Sequence, residues 1–382
     1  MANNQPFVLK NAVEVGKNID VTLGTITSGT VDLSTGNYFS ETLTDNTTYA
    51  FSNAGDVQSF QLEVTGVEVN VYYDLTVSSY DSVSVSVSTQ DGSMNGLFFK
   101  PDGTKMFAVG YAGDKVYEYG LSTAWDITTA SFTQNFSVSA QETAPVGLAF
   151  KTDGTEMYVL GQVGDDVNQY TLSTAWDIST ASYTRVFSIA AQETTPEDIR
   201  FKPDGTKMYV CGSTTNAKIS EYTLSTAWDI STASYTTTIN LSAQGTNPKG
   251  FDFNDDGTRL VTVVDANDTM YQYTLSTAWD ISTATYDGIS LSVSSQNGTP
   301  VSLAFKSDGS KVYMLGTTTP DSVYQYSTAT PAPATITWPN SVEWGGGFAP
   351  TAPSDGETDL FTISTDDGGT SYIGLKTADN LS

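Results

Sequence analysis

From about residue 73 to residue 330 the chain is written in short runs where apolar and polar side chains alternate. Gly-, Asp- and Ser/Thr-rich punctuation separates the runs. Glu156-Met-Tyr-Val-Leu160 and Tyr183-Thr-Arg-Val-Phe-Ser-Ile189 have the two-residue period of a strand, and no stretch carries the 3.6-residue period of a helix. Four such runs make one unit. The first is apolar and ends at a phenylalanine, as in Gly147-Leu-Ala-Phe150. An Asp-Gly pair follows, at Gly103, Gly154, Gly205, Gly257 and Gly309, and marks a tight hairpin connection because glycine accepts the positive φ required there. A second strand, a variable loop and a third strand ending at Tyr119, Tyr170, Tyr222, Tyr273 or Tyr326 come next. The phrase Leu-Ser-Thr-Ala-Trp-Asp-Ile, identical around Trp125, Trp176, Trp228 and Trp279, connects to the fourth strand.

The unit recurs every 51 to 52 residues, its repeat phenylalanines being Phe99, Phe150, Phe201, Phe253 and Phe305. Self-similarity at this period, with four antiparallel strands per copy, predicts the blades of a β-propeller. The two ends complete each other. Ser82-Val-Ser-Val-Ser-Val-Ser88 is a fourth strand without its own blade, and the last copy, Val301 to Tyr326, lacks a fourth strand. Joining them predicts a five-bladed ring closed by its N-terminal strand.

The phrase Phe-Lys-Pro-Asp-Gly-Thr-Lys-Met-Tyr-Val resembles the strand–turn–strand core of WD-like and YVTN-type propeller repeats. That resemblance covers roughly residues 73–330 and implies fold rather than function, because such rings host many activities. The chain departs from the WD pattern in having no histidine and in placing Trp-Asp after the third strand. The flanks read as β structure too thin to stand alone. A closed ring brings its ends together and can sit in another domain's loop, so residues 20–72 and 331–382 are expected to be two halves of one small β-sandwich. Residues 1–19 are expected to form an N-terminal attachment segment. Ser34-Thr-Gly-Asn-Tyr-Phe39, Gln58-Ser-Phe-Gln-Leu-Glu-Val-Thr-Gly66 and Thr337-Trp-Pro-Asn-Ser-Val-Glu-Trp344 resemble a β module of structural proteins from marine tailed phages. The resemblance implies a virion component, as tail fibre, spike or capsid decoration.

Composition changes this picture in three ways. With 43 acidic and 16 basic residues among 382, the net charge is −27, and the summed field repels nucleic acid and anionic membranes. No run approaches the roughly 20 apolar residues of a membrane-spanning helix, and the N-terminus shows no signal-peptide pattern. The single cysteine, Cys211, falls on a strand position that is aliphatic in the other copies, which marks it as a small buried residue.

Candidate ligand-binding positions are those the copies share around one rim. Gln90, Gln141, Gln192, Gln244 and Gln296 follow the fourth strands and offer a ring of five amides to a polar ligand, or hydrogen bonds to neighbouring blades. Asp114, Asp165, Asp268 and Asp321 lie five residues before the repeat tyrosine, in loops that vary between copies; turn formation is their alternative role. No run matches the alternating oxygen ligands of a calcium loop, and the absence of histidine removes Ser-His and Cys-His pairs and histidine metal sites. No metal or other cofactor is expected. The sequence therefore predicts a non-enzymatic virion protein, made in the host cytoplasm and acting on the particle. Its ring would contact a host-surface glycan or protein, its flanks other virion proteins. A homo-oligomer, trimeric by analogy with fibres, is expected. The alternatives are a capsid or tail ornament without a ligand, and a polysaccharide-degrading propeller enzyme.

Overall fold

The structure is a computed structural model that describes residues 23–381 apart from 44–46, 67, 72, 214–216 and 329. The expected attachment segment, residues 1–19, lies outside them. The chain divides into two compact units, residues 71–330 and residues 1–70 with 331–382. Among the described residues both are built of strands, the larger with short 3-10 turns as well, and neither holds an α-helix.

The larger unit is a propeller-like array of five four-stranded antiparallel sheets. The second sheet is representative: Pro145–Phe150, Glu156–Gly161, Asp166–Leu172 and Ala181–Ser188, in that order from the inside out. The innermost strands of the others are Met94–Phe99, Pro196–Phe201, Pro248–Phe253 and Pro300–Phe305. Four of the five open on proline, which these strands tolerate because each is a sheet edge whose first N–H has no ladder partner to lose. Each innermost strand packs against the next in cyclic order, and Pro300–Phe305 packs back against Met94–Phe99. In the fifth sheet the outermost strand is Ser79–Ser86, paired antiparallel to Ser322–Ser327 with Val323 opposite Val85.

Burial follows sheet position. The three inner strands are almost wholly buried: every residue of Pro145–Phe150 is out of solvent, as a strand covered on both faces requires, whereas Ala181–Ser188 alternates toward solvent. Aromatic clusters fill the space between adjacent sheets. One joins Phe107, Phe150, Tyr170 and Trp176, and the next joins Tyr158, Tyr222 and Trp228.

The Trp-Asp connections lock neighbouring sheets together. Each tryptophan takes a positive φ of 63 to 68° and lays its indole over the Asp-Gly turn of its own sheet. A Cβ on Gly103, Gly154, Gly205 or Gly257 would come within 2.3 Å of that ring, so these glycines are required by contact as well as by φ. The aspartate caps the following 3-10 turn, Asp177 accepting from the Ser179 N–H at 3.1 Å. The tryptophan carbonyl accepts from the preceding sheet: Trp228 from the Tyr158 hydroxyl, Trp279 from Tyr209 and Trp125 from Tyr313, each at 2.7 Å.

The fifth sheet has the same latch from a residue the sequence reading passed over. Tyr73 (φ 57°) covers Gly309, Asp74 caps Leu75–Val77 through the Thr76 N–H at 2.9 Å, and the Tyr73 carbonyl accepts from Arg259 at 2.9 Å. Tyr73-Asp-Leu-Thr-Val-Ser-Ser-Tyr80 repeats the spacing of Trp176-Asp-Ile-Ser-Thr-Ala-Ser-Tyr183. That spacing was the available signal, hidden by replacement of tryptophan with tyrosine.

The smaller unit joins both ends of the chain in one sheet. Gln58–Thr65 pairs antiparallel with Thr358–Thr365, flanked by Tyr38–Thr42 on one side and by Tyr372–Ala378 and Val342–Trp344 on the other. Its core, with Phe39, Phe60, Leu62, Trp338, Phe361 and Ile363, also takes Val31 from a three-stranded sheet formed by Ile26–Thr27, Thr30–Asp32 and Ala50–Ser52.

Candidate active site

The innermost strands of the large unit are mostly apolar, and two of them break that pattern. The residue before the repeat phenylalanine is Phe98, Ala149 or Ala304 in three sheets but Arg200 in the third and Asp252 in the fourth. Two residues further back, Gly96, Gly147 and Gly250 are matched by Asp198 and Ser302. The fold brings these outliers together around the axis.

Arg200 is buried and commits both terminal nitrogens to hydrogen bonds. One terminal nitrogen donates to Asp198 Oδ1 and to the Ile199 carbonyl, both at 2.8 Å. The other donates to the Leu303 carbonyl at 2.6 Å and to the Leu97 carbonyl at 3.3 Å, and so spans the ring from the third sheet to the fifth and first. Nε faces Asp252 Oδ1 at 3.5 Å. A buried guanidinium requires such compensation, because removing charge from water is costly unless it is paired and hydrogen-bonded. The axial face of the inner strands supplies carbonyls, and the two carboxylates supply countercharge.

The carboxylates differ in environment. Asp198 is fully buried and accepts from the Ile199 N–H at 2.8 Å and the Ser302 hydroxyl at 3.3 Å; burial pushes its carboxyl up to about 7 despite the adjacent guanidinium. Asp252 accepts the Phe253 and Phe305 N–H groups, each at 2.9 Å, and keeps 22% of its side chain exposed. Burial raises its carboxyl too, opposed by Arg200 and by those two N–H bonds. Asp252 is thus the carboxylate of the cluster that stays partly open, beside a fixed positive charge.

What it faces is a cavity of about 150 Å³ at the Asp-Gly-turn end of the axis, walled by Phe98, Phe99, Phe150, Phe201, Phe305 and Trp228, with Arg200 and Asp252 also on its lining. Further along the axis, Lys249 pairs with Glu197 at 2.8 Å. The sequence reading overlooked these residues because it searched for positions the copies share. Charge at an otherwise apolar strand position was the signal.

The residues singled out from the sequence lie elsewhere, at the opposite ends of the same strands. Gln90, Gln141, Gln244 and Gln296 each accept, through the side-chain oxygen, from the third-strand tyrosine of the following sheet: Tyr119 at 3.1 Å, Tyr170 at 3.3 Å, Tyr273 at 2.7 Å and Tyr326 at 3.3 Å. Gln192 presents its backbone carbonyl to Lys218. Asp114, Asp165 and Asp268 hold positive φ values of 52, 45 and 49°, and their carbonyls accept the N–H of Val138, Ile189 and Val293. Asp321 is buried and accepts the Met94 N–H at 2.8 Å. Next to Gln141, Glu142 is the more committed residue: it accepts from the N–H groups of Ala144 at 2.6 Å, Val163 at 3.4 Å and Gly164 at 3.2 Å, joining two loops. No group of three or more acidic or cysteine side chains among the described residues is placed to hold a metal ion.

Residues 49–278, more than half of the chain, match the family model described as lactonase, 7-bladed β-propeller. No curated protein matches the chain. Among solved structures, a candidate 6-phosphogluconolactonase from Bacteroides uniformis shares 15% identity at a TM-score of 0.38, covering 52% of this chain and 55% of that one. The periplasmic gluconolactonase of Pseudomonas aeruginosa shares 16% at a TM-score of 0.34, covering 50% and 52%. The Swd1 propeller domain of Myceliophteria thermophila shares 9% at 0.40, covering 65% and 99%. This chain thus spans about half the length of the two lactonase structures.

The family match corrects the sequence reading. It replaces the non-enzymatic phage virion protein with a family named for an enzyme activity, and with that goes the virion as the place of action. The kinship of the flanks with phage modules finds no support in these comparisons. The family description also gives seven blades where five were expected, while the described residues of this chain hold five four-stranded sheets.

Proposed function

The chain belongs to the lactonase propeller family, and from that membership we propose that it is a lactone-opening hydrolase whose reaction takes place in the axial cavity at Asp252. The observation that carries the assignment to this site is the meeting of a partly exposed carboxylate of raised pKa and a fixed guanidinium on one cavity wall.

In this reading Asp252 takes a proton from a water molecule as its oxygen attacks the lactone carbonyl. The ring C–O bond then breaks, and the proton returns to the departing ring oxygen, giving a hydroxy acid. Burial suits Asp252 to the first step, since a carboxylate shifted toward neutrality is a stronger base. With its N–H groups committed, Arg200 acts on the developing oxyanion through its charge, at short range in a poorly solvated site. Asp198 holds the guanidinium in place.

We also infer a ring closed at five blades. Ser79–Ser86 completes the fifth sheet, Tyr73 supplies its latch, and the cyclic packing of inner strands supports a ring without room for two more sheets.

The test is hydrolysis of a panel of five- and six-membered lactones, followed by proton release, by wild type and Asp252→Asn. Turnover by wild type with a loss of about 100-fold or more in the variant is expected for a positioned general base. Absence of turnover, or equal turnover by a folded variant, refutes the assignment.

A further inference from the structure

The same cavity restricts which lactones fit, and we propose that the substrate is a small, uncharged, largely apolar lactone of a single ring, not a phosphorylated sugar lactone. This rests on the lactonase reading of the site. Three observations lead there.

The first is size. The cavity measures about 150 Å³, and a cavity of about 150 Å³ with apolar walls holds one six-membered carbocycle. A hexose lactone bearing a phosphate exceeds it. The second is lining. Aromatic faces such as Phe98, Phe201 and Trp228 reward an apolar ring, Thr152 and Asp252 are too few to partner the several hydroxyls of a sugar, and unpaired polar groups in such a pocket are costly.

The third is charge. The Arg200 guanidinium is occupied by two carboxylates and three carbonyls. The lysine that follows four of the five repeat phenylalanines is drawn onto its turn aspartate, Lys100 to Asp102 at 2.6 Å and Lys202 to Asp204 at 2.8 Å, with Lys151 and Lys306 paired in the same way, and Asn254 stands at the fifth. A phosphate monoester at this end of the axis would meet carboxylates and no free cation, in a protein of net charge −27.

The experiment compares δ-valerolactone with a phosphorylated gluconolactone on the full chain, with Asp252→Asn and Ala149→Leu as variants. Ala149 lines the cavity with an apolar side chain, so leucine there takes up space while leaving every charged group in place. Expected is a kcat/KM at least about 10-fold higher for δ-valerolactone, a loss in Ala149→Leu of about 10-fold carried by KM, and binding of δ-valerolactam to Asp252→Asn. If Asp252-dependent turnover instead favours the phosphorylated lactone, the substrate class is overturned and the lactonase reading stands. If δ-valerolactam binds but nothing is hydrolysed, the site is right and the reaction wrong. Ala149→Leu indistinguishable from wild type on δ-valerolactone overturns the cavity as the place of binding.

Discussion

If Tyr73 closes the fifth sheet, truncating it should cost as much as removing a latch tryptophan. The ring of Tyr73 stands edge-on to Phe305 with centroids 4.9 Å apart and lies over Gly309, so close that a Cβ there would approach it to 2.1 Å. Its hydroxyl donates to the Ser307 carbonyl at 2.9 Å. Removing a buried aromatic costs about 3–5 kcal/mol; Tyr73 is partly exposed, which brings this to about 2 kcal/mol. The lost hydrogen bond adds about 1 kcal/mol. Tyr73→Ala should therefore lose about 3 kcal/mol, and at 2–4 °C per kcal/mol for a unit of this size Tm should fall by about 6–12 °C. The backbone contribution cancels, since alanine and tyrosine are equally strained at φ 57°. Tyr73→Trp restores what four other sheets use and should stay within about 1 kcal/mol of wild type. Thermal unfolding followed by far-UV circular dichroism compares both with Trp228→Ala in the full chain. A melt for Tyr73→Ala within about 2 °C of wild type, alongside a clear fall for Trp228→Ala, would refute the equivalence of the two latches and weaken closure at five.

Gln244→Ala removes the 2.7 Å partner of the Tyr273 hydroxyl, so urea unfolding should show a loss of about 1 kcal/mol; a ligand-binding role alone would leave the midpoint unchanged. Asp198, its carboxyl raised by burial to about 7 in the fold from the ordinary 3.8 of an aspartate, holds its proton more tightly when folded. Its stabilising contribution is complete below the unfolded value and is lost as pH rises through the folded one, so stability relative to Asp198→Asn should decline from about pH 4 to about pH 7 and then level off. A constant difference across that window would refute the burial argument. Cys211 is fully buried and its thiol is pushed well above the usual range by burial, so it should resist alkylation in the native protein and react on unfolding, as mass spectrometry can read.

Periodicity explains both what the sequence disclosed and what it concealed. The strand alternation, the Asp-Gly turns and the pairing of Ser82–Ser88 with the last copy were legible because five copies repeat one solution to one packing problem. A residue present in every copy is selected by contacts that every sheet makes. The shared glutamines illustrate this: four of them bind the tyrosine of the next sheet. Tyr73 was missed because its partner strand lies some 240 residues away in sequence, and a single aromatic replacement disguised the phrase. A ring of identical sheets offers an axis where opposite sides are equivalent, and the proposed reaction needs them to differ. Arg200 and Asp252 make that difference, in the one layer where side chains from all five sheets converge. Reverting the pair, Arg200→Ala with Asp252→Ala, restores the small residue of the second and fifth sheets. It should cost less than Arg200→Ala alone, because the double variant leaves only Asp198 without its partner, whereas Arg200→Ala strands Asp198 and Asp252 both in a buried site, with breaking such a pair costing about 3–5 kcal/mol. A double variant less stable than Arg200→Ala would show that the cluster holds the ring together, and would remove the argument that its departure from the repeat is kept for chemistry.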